Sequence, residues 1–160
     1  MAYSKNVFIN CPFDDDYYPL LKAILFTAVV CGLKPQISET SDGDDIRIRQ
    51  IQNLILKSKY SIHDISRVIP KKKGDLPRFN MPLELGIDLG CKAYLKKDKK
   101  FLVLEEEPWR YKTVISDISG QDISVHSNDP LLIIKSIRDW FYKLKITPKP
   151  MAYKVIGDFI

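Results

Sequence analysis

The residue whose type and position most suggest chemistry is Glu84. It lies in the segment Asn80-Met81-Pro82-Leu83-Glu84-Leu85-Gly86, where a proline-containing loop turns into a predicted helix. Pro82 has the fixed φ of an early helical position, so we expect the helix to begin at or next to Pro82 and to hold Glu84 in its first turn. A carboxylate at such a position can stabilise or capture a cationic transition state.

A structural role for Glu84 is the alternative. An acidic residue in a first turn complements the helix dipole or caps the backbone of its own helix. Glu84 and Asp88 form the only polar stripe on a helix whose remaining faces are apolar. Gly86 and Gly90 are expected to let this helix approach a sheet closely. Glu84 would then lie where strands end and helices begin, which is where α/β proteins bind ligands.

Further polar residues follow the ends of the predicted strands. The aspartates at positions 14–16 would repel a phosphate at the N-terminus of the first helix, so sugar hydroxyls suit this loop better. The alternatives are that these aspartates only cap the helix and that Asp64 is a turn residue. The candidates gathered at these strand ends are Asn10, Pro12, Phe13, Asp14, Ser38, Glu39, Asp64, Ser66 and Asn80.

Short apolar runs alternate with helical patterns along the chain. Strands are predicted at residues 6–10, 34–38, 60–65, 100–104 and 122–125. Helices are predicted at residues 16–31, after a turn at 42–45 and ending at 57, beginning near 82, at 109–118 and around 133–144. Pro35 restricts the second strand to an edge. This alternation predicts one three-layer α/β domain over residues 1–146, with a five-stranded parallel sheet in the flavodoxin-like order 2-1-3-4-5. Residues 147–160 are predicted to form a C-terminal arm, packed across the domain or onto a second subunit.

Composition excludes several classes of function. The 160 residues carry a net charge of +5, and the lysine runs at 71–73 and 96–100 lack interleaved aromatic residues, so we expect solvated loops rather than a nucleic-acid site. Cys11, Cys31 and Cys91 form no CxxC pair, His63 and His126 are far apart, and no metal site is predicted. Neither a dinucleotide fingerprint nor a phosphate-binding P-loop is present. No membrane span or signal peptide is recognised, so we expect a cytoplasmic protein without a membrane partner.

Two segments resemble a known superfamily. Residues 7–13, Val-Phe-Ile-Asn-Cys-Pro-Phe, resemble the opening strand and loop of the nucleoside 2-deoxyribosyltransferases and are similar to the first box of TIR domains, the Toll and interleukin receptor module. Residues 80–86 resemble the helix start that bears a glutamate in both families. That glutamate is the nucleophile in the transferases and serves NAD cleavage in enzymatic TIR domains.

The resemblance implies an enzyme that cleaves the N-glycosidic bond of NAD or a related nucleotide or nucleoside, with Glu84 as the catalytic carboxylate. NAD would then be a substrate, and no cofactor is expected. The alternative is a non-catalytic TIR-like module that binds a nucleotide signal or a TIR-like partner. Self-association into a homo-oligomer is expected in either case. The residues implied in substrate binding are Asn10, Pro12, Phe13, Asp14, Asp64 and Asn80, with Arg47, Arg49, Arg67 or Arg78 as candidates for a pyrophosphate.

Overall fold

The computed structural model describes residues 3–38, 47–121, 123–147 and 159. Within them, five parallel strands form one sheet in the order 2-1-3-4-5, which confirms the predicted fold class. The strands are β1 (Asn6–Asn10), β2 (Lys34–Gln36), β3 (Tyr60–Asp64), β4 (Lys100–Glu105) and β5 (Ile123–Val125). The helices are α1 (Tyr18–Val30), α2 (Arg47–Leu56), α3 (Asn80–Tyr94) and α4 (Pro130–Lys143).

Helices cover both faces of the sheet. Successive residues of a strand point to opposite faces, so Val7 and Ile9 of β1 join the core beneath α1 and α4. Phe8 points the other way and packs in a cluster with Ile51 and Ile55 of α2. Every residue of β1 and β3 is buried, as expected for central strands with both faces covered. No helix in the described part of the chain is long and apolar enough to cross a membrane.

α4 has the amphipathic face that the sequence predicts. Pro130 opens the helix, and the Asp129 side chain caps it by accepting a hydrogen bond from the Leu131 N–H at 2.8 Å. The side chains that this helix buries in the core are Ile133, Ile134, Ile137 and Phe141, with Trp140 and Leu144 packed partly against them. The predicted packing of this helix along the sheet is confirmed.

Several predicted elements differ in extent. β2 ends at Gln36 and is an edge strand, as Pro35 requires. The predicted helix at 109–118 is two short 3-10 turns, Arg110–Thr113 and Ser116–Ile118. The turn at 42–45, Glu39 and Asp122 lie outside the described residues, as does the predicted arm apart from Thr147 and Phe159. Phe159 packs against Phe26 of α1, with ring centroids 5.4 Å apart, and the expected self-association stays a prediction.

α3 begins two residues earlier than predicted, at Asn80. The first N–H groups of a helix have no partner within it, so Pro82 fits as the third helical residue at no cost in hydrogen bonds. Glu84 is therefore the fifth residue of α3, and the prediction that it lies in the first turn is wrong. The effect of the helix dipole fades beyond the first turn, which weakens the purely structural explanation for this carboxylate.

The predicted role of the α3 glycines is also wrong. The buried face of the helix is formed by Met81, Glu84, Leu85, Asp88 and Cys91. A Cβ added at Gly86 would meet no atom within 4 Å, and one at Gly90 would meet only the Tyr94 ring. The polar stripe, rather than the glycines, faces inward. The reason lies beneath the helix, where Asp88 contacts the buried side chains of Lys99 and His63.

A chain of buried polar side chains joins α3 to its neighbours. Lys99, which the sequence suggests is solvated, is buried, and its Nζ contacts Asp88 Oδ1 at 3.0 Å. The same Nζ donates hydrogen bonds to the carbonyls of Ile55, at 2.7 Å, and Ser58 at the end of α2. A carbonyl-rich helix C-terminus favours a cation, so this position suits a lysine.

The same row of buried polar side chains continues through β3 to β1. His63 Nε2 lies 3.0 Å from Asp88 Oδ2, and His63 Nδ1 lies 2.9 Å from the Asn10 side-chain amide. Burial alone would raise the pKa of the Asp88 carboxyl, but the hydrogen bond and charge of His63, with the charge of Lys99, hold it below its ordinary value. We call Asn10, His63, Asp88 and Lys99 the buried polar chain.

Replacing Asp88 tests how much the stability of the fold depends on the buried polar chain. Asp88→Asn keeps the shape of the side chain but leaves the Lys99 charge buried without an anion, so we expect a loss of about 3–5 kcal/mol in the free energy of unfolding. Asp98→Asn is the matched control, because Asp98 pairs with Lys59 at 2.7 Å on the surface, where the loss of an ion pair should change the free energy of unfolding far less. Urea denaturation measures both. Equal effects would contradict a structural role for the buried charge.

Candidate functional site

Glu84 projects from α3 into a small cavity between α2 and α3. The cavity has a volume of about 210 Å³. The Glu84 side chain is only 8% exposed, and no described residue makes a hydrogen bond to its carboxylate. Burial raises its pKa to about 7, and the positive charge of Arg47 offsets only part of that rise. The other residues that line the cavity are Arg47, Ile48, Ile51, Asn80 and Leu83.

The end of β1 fixes the start of α3. The Asn10 amide donates a hydrogen bond to the Met81 carbonyl at 2.8 Å, in addition to its contact with His63. Met81 precedes Glu84 by three residues, so this bond anchors the turn from which Glu84 projects. Asn10 is itself buried and does not line the Glu84 cavity. The structure thus places Asn10 where it positions the helix, instead of at the surface where a substrate would bind.

Asp64 lies in a second buried polar cluster, on the other face of β3. Its carboxylate accepts hydrogen bonds from the Tyr17 hydroxyl at 2.5 Å and from the Ser66 N–H at 2.8 Å, and His126 Nε2 lies 3.1 Å away. Burial alone would raise the pKa of Asp64, but the hydrogen bonds from His126, Ser66 and Tyr17 lower it. Asp64 is completely buried. It therefore stabilises the interior, and a change at this position acts on folding before it acts on a substrate.

A serine, a histidine and an aspartate lie together here, as in the catalytic triad of a hydrolase, but their geometry differs from that of a triad. They are Ser66, His126 and Asp64. Ser66 Oγ and Asp64 Oδ2 both lie beside the same His126 nitrogen, Nε2, at 2.9 and 3.1 Å. His126 Nδ1 accepts a hydrogen bond from the Asn128 N–H at 3.0 Å, so Nε2 carries the proton of the neutral ring. A triad needs the acid and the nucleophile on opposite ring nitrogens. This cluster does not activate Ser66 as a nucleophile.

Asp14 lies at the end of the loop after β1, between two arginines. It accepts the Tyr17 N–H at 3.0 Å and so caps the short turn that precedes α1. Arg67 donates two hydrogen bonds to Asp14, and Arg78 Nη1 lies 3.1 Å from it. Burial alone would raise the pKa of Asp14, but the hydrogen bonds and charge of Arg67, together with the charge of Arg78, lower it. Asp14 thereby ties the loop over residues 66–79 to the end of β1.

The predicted site residues thus fall into separate places. Asn80 and Glu84 line the cavity between α2 and α3. Asp14 lines a different space, a cleft whose other lining residues include Arg67 and Arg78. No group of three or more potential metal ligands occurs among the described residues. The remaining predicted residues are Asn10, Pro12 and Asp64, which are buried, and Phe13, which is 51% exposed and lines neither space.

Sequence reasoning named Asp64 but missed that it and His63 belong to two buried polar clusters. His63 and Asp64 are adjacent at the end of β3, and their side chains point to opposite faces of the sheet. His63 therefore contacts Asp88, whereas Asp64 contacts Ser66. Two successive titratable residues at the end of an apolar strand were the available signal. The partners Asp88, Lys99 and His126 carried no signal, because nothing in their spacing shows which cations and acids meet.

Neither a protein-family model nor a curated protein sequence matches this chain.

The pH dependence of stability tests the environment of Glu84. The pKa of Glu84 is higher in the folded chain than in the unfolded chain, so its protonated carboxyl adds stability to the folded state. That stability is complete below about pH 4.5 and is lost as pH rises through about 7. Glu84→Gln cannot ionise, so it should gain roughly 2–3 kcal/mol over the native chain between pH 5 and pH 8. Glu107→Gln is the control, since the Glu107 side chain is 64% exposed. Denaturant midpoints across this range give the comparison, and parallel curves for the native and Glu84→Gln chains would show that Glu84 is solvated.

Proposed function

We propose that the protein cleaves the N-glycosidic bond of NAD or a related nucleotide or nucleoside, with Glu84 as the catalytic carboxylate. The observation that carries the proposal is a glutamate only 8% exposed that lines a cavity, makes no hydrogen bond with a described residue and has its pKa raised to about 7. Perturbed titratable groups at the walls of cavities are typical of functional sites. A carboxylate needed only for folding would have partners, as Asp64 and Asp88 do.

The charge of Glu84 suits the transition state of this reaction. As the bond from the anomeric carbon to the base breaks, its electrons leave with the base and the sugar becomes cationic, like an oxocarbenium ion. An ionised Glu84 stabilises that cation or captures it as an ester. Water then attacks the anomeric carbon, any ester bond to Glu84 breaks and releases the carboxylate, and the proton of the water passes to the carboxylate or to solvent. A desolvated carboxylate interacts with a developing cation more strongly than a hydrated one does.

The cavity favours a leaving group that needs no proton. Among the described residues, its lining provides one cation, Arg47, and no acid besides Glu84. A pyridinium base such as nicotinamide in NAD accepts the bonding electrons on a ring nitrogen that is already positive, so it leaves neutral. A purine or pyrimidine leaves as an anion unless an acid protonates it. This difference makes NAD the preferred substrate, and NAD enters the reaction as substrate rather than as cofactor.

The other lining residues have chemistry that fits such a ligand. Ile48, Ile51 and Leu83 give the cavity apolar walls, which suit a flat aromatic ring. Asn80 is exposed, and its amide can both donate to and accept from a ribose hydroxyl. Asn80 is thus the predicted substrate-binding residue whose position best supports its role.

Activity should depend on the ionisation and identity of residue 84. We expect kcat/KM for the release of nicotinamide from NAD to rise with pH through about 7, because only the ionised carboxylate stabilises the sugar cation. Glu84→Gln should lower the rate by ~10²-fold or more, the scale of removing one electrostatic stabiliser. Chromatography of the released base, with NAD and a nucleoside panel as substrates, measures both effects.

Glu107→Gln serves as the control and should keep full turnover. A folded Glu84→Gln protein that also kept full turnover would end the assignment of Glu84 as the catalytic residue. A rate that falls as pH rises through 7 would instead assign Glu84 as a general acid. Binding of NAD by the native protein without turnover would favour the non-catalytic TIR-like module.

A further inference from the structure

A second space lies at the ends of β1 and β3. Its lining is mostly charged, whereas the lining of the Glu84 cavity is mostly apolar. This cleft has a volume of about 370 Å³, room for about twelve waters at ~30 Å³ each. It lies between the loop after β1 and the loop over residues 66–79. Arg78, on its wall, precedes Asn80 of the Glu84 cavity by two residues, so the backbones at the two spaces are at most ~7 Å apart.

The cations of this cleft differ in what they already bind. Arg67 is buried, and its guanidinium makes two hydrogen bonds to Asp14. Arg78 is 52% exposed and places only Nη1 on Asp14, so within the described chain its Nε and Nη2 have no partner. Lys71 and Lys72 are exposed and form no ion pair with a described residue. Three cations therefore remain able to bind an anion.

The acids of the cleft are of two kinds. Asp14 is already matched by two arginines, so it does not repel a phosphate as the sequence alone suggests. Asp16 and Asp75 are exposed and form no ion pair within the described chain. They would repel a continuous strand of phosphates more than a single small anion. The charge pattern favours a compact phosphate group over nucleic acid.

We propose that this cleft binds the diphosphate of the substrate, with Arg78, Lys71 and Lys72 as its ligands; the assignment as substrate rests on the proposed function of Glu84. The guanidinium of Arg78 can bind two phosphate oxygens at once through its free N–H groups, and the lysines act as point charges. The anchored sugar then extends past Asn80 toward Glu84. The substrate class is a nucleotide with a diphosphate, such as a dinucleotide, and a bare nucleoside lacks the group that this cleft recognises.

Calorimetric titration of inorganic pyrophosphate tests the cleft separately from catalysis. We expect pyrophosphate to bind the native protein and Glu84→Gln equally, with an affinity that falls as salt concentration rises. Arg78→Gln and the double variant K71Q/K72Q should each weaken binding at least tenfold. Lys135→Gln is the control, because it removes one exposed lysine from α4 and should leave the affinity unchanged. Arg67 still binds Asp14 in the Arg78→Gln protein, and an unchanged melting temperature would confirm that it folds.

No binding of pyrophosphate to the native protein, or equal binding by all the variants, would overturn the proposal. A rate for the nucleoside equal to that for the dinucleotide would also overturn it, while leaving Glu84 as the catalytic residue. Pyrophosphate binding that needs Arg78, in a protein that cleaves no glycosidic bond, would support the anion site and reject the proposed reaction.

Discussion

The ion pair between Asp88 and Lys99 is the constraint on which the arrangement of this protein depends. A charge in the interior is tolerated only with a partner and with hydrogen bonds to its remaining atoms. Lys99 obtains its hydrogen bonds from the end of α2, and Asp88 obtains a second contact from His63 Nε2 of β3. The rotation of α3 is thereby fixed with its polar stripe inward. Glu84 lies four residues before Asp88 on that stripe, so the same pair turns Glu84 toward the cavity.

Two carboxylates one turn apart therefore have opposite environments. Asp88 has partners that lower its pKa, whereas Glu84 has a cavity and a pKa raised to about 7. Asp88 and its partners hold the helix that carries Glu84, and the proposed site needs such support because a site is accurate only when its supporting residues are fixed.

Local pattern was sufficient to predict the sheet and α4, since alternation and helical spacing directly reflect which faces are buried. It was insufficient for α3. Six apolar or small residues around Glu84 and Asp88 do not show what lies beneath the acids, and only the buried Lys99, eleven residues after Asp88, explains why the acids face inward. Lys99 itself belongs to a run that reads as solvated. The Glu84 cavity follows from a tertiary contact, which spacing along the chain does not encode.

The lone carboxylate of Glu84 also has an evolutionary consequence. Holding an anion in a cavity at neutral pH makes the folded chain less stable than it would be with a neutral side chain of similar size. Drift without selection for chemistry would therefore favour glutamine, methionine or leucine at this position. The residue found there in descendants of this gene would record whether the proposed activity has been kept, and a lineage without that activity would carry a more stable copy of the same fold.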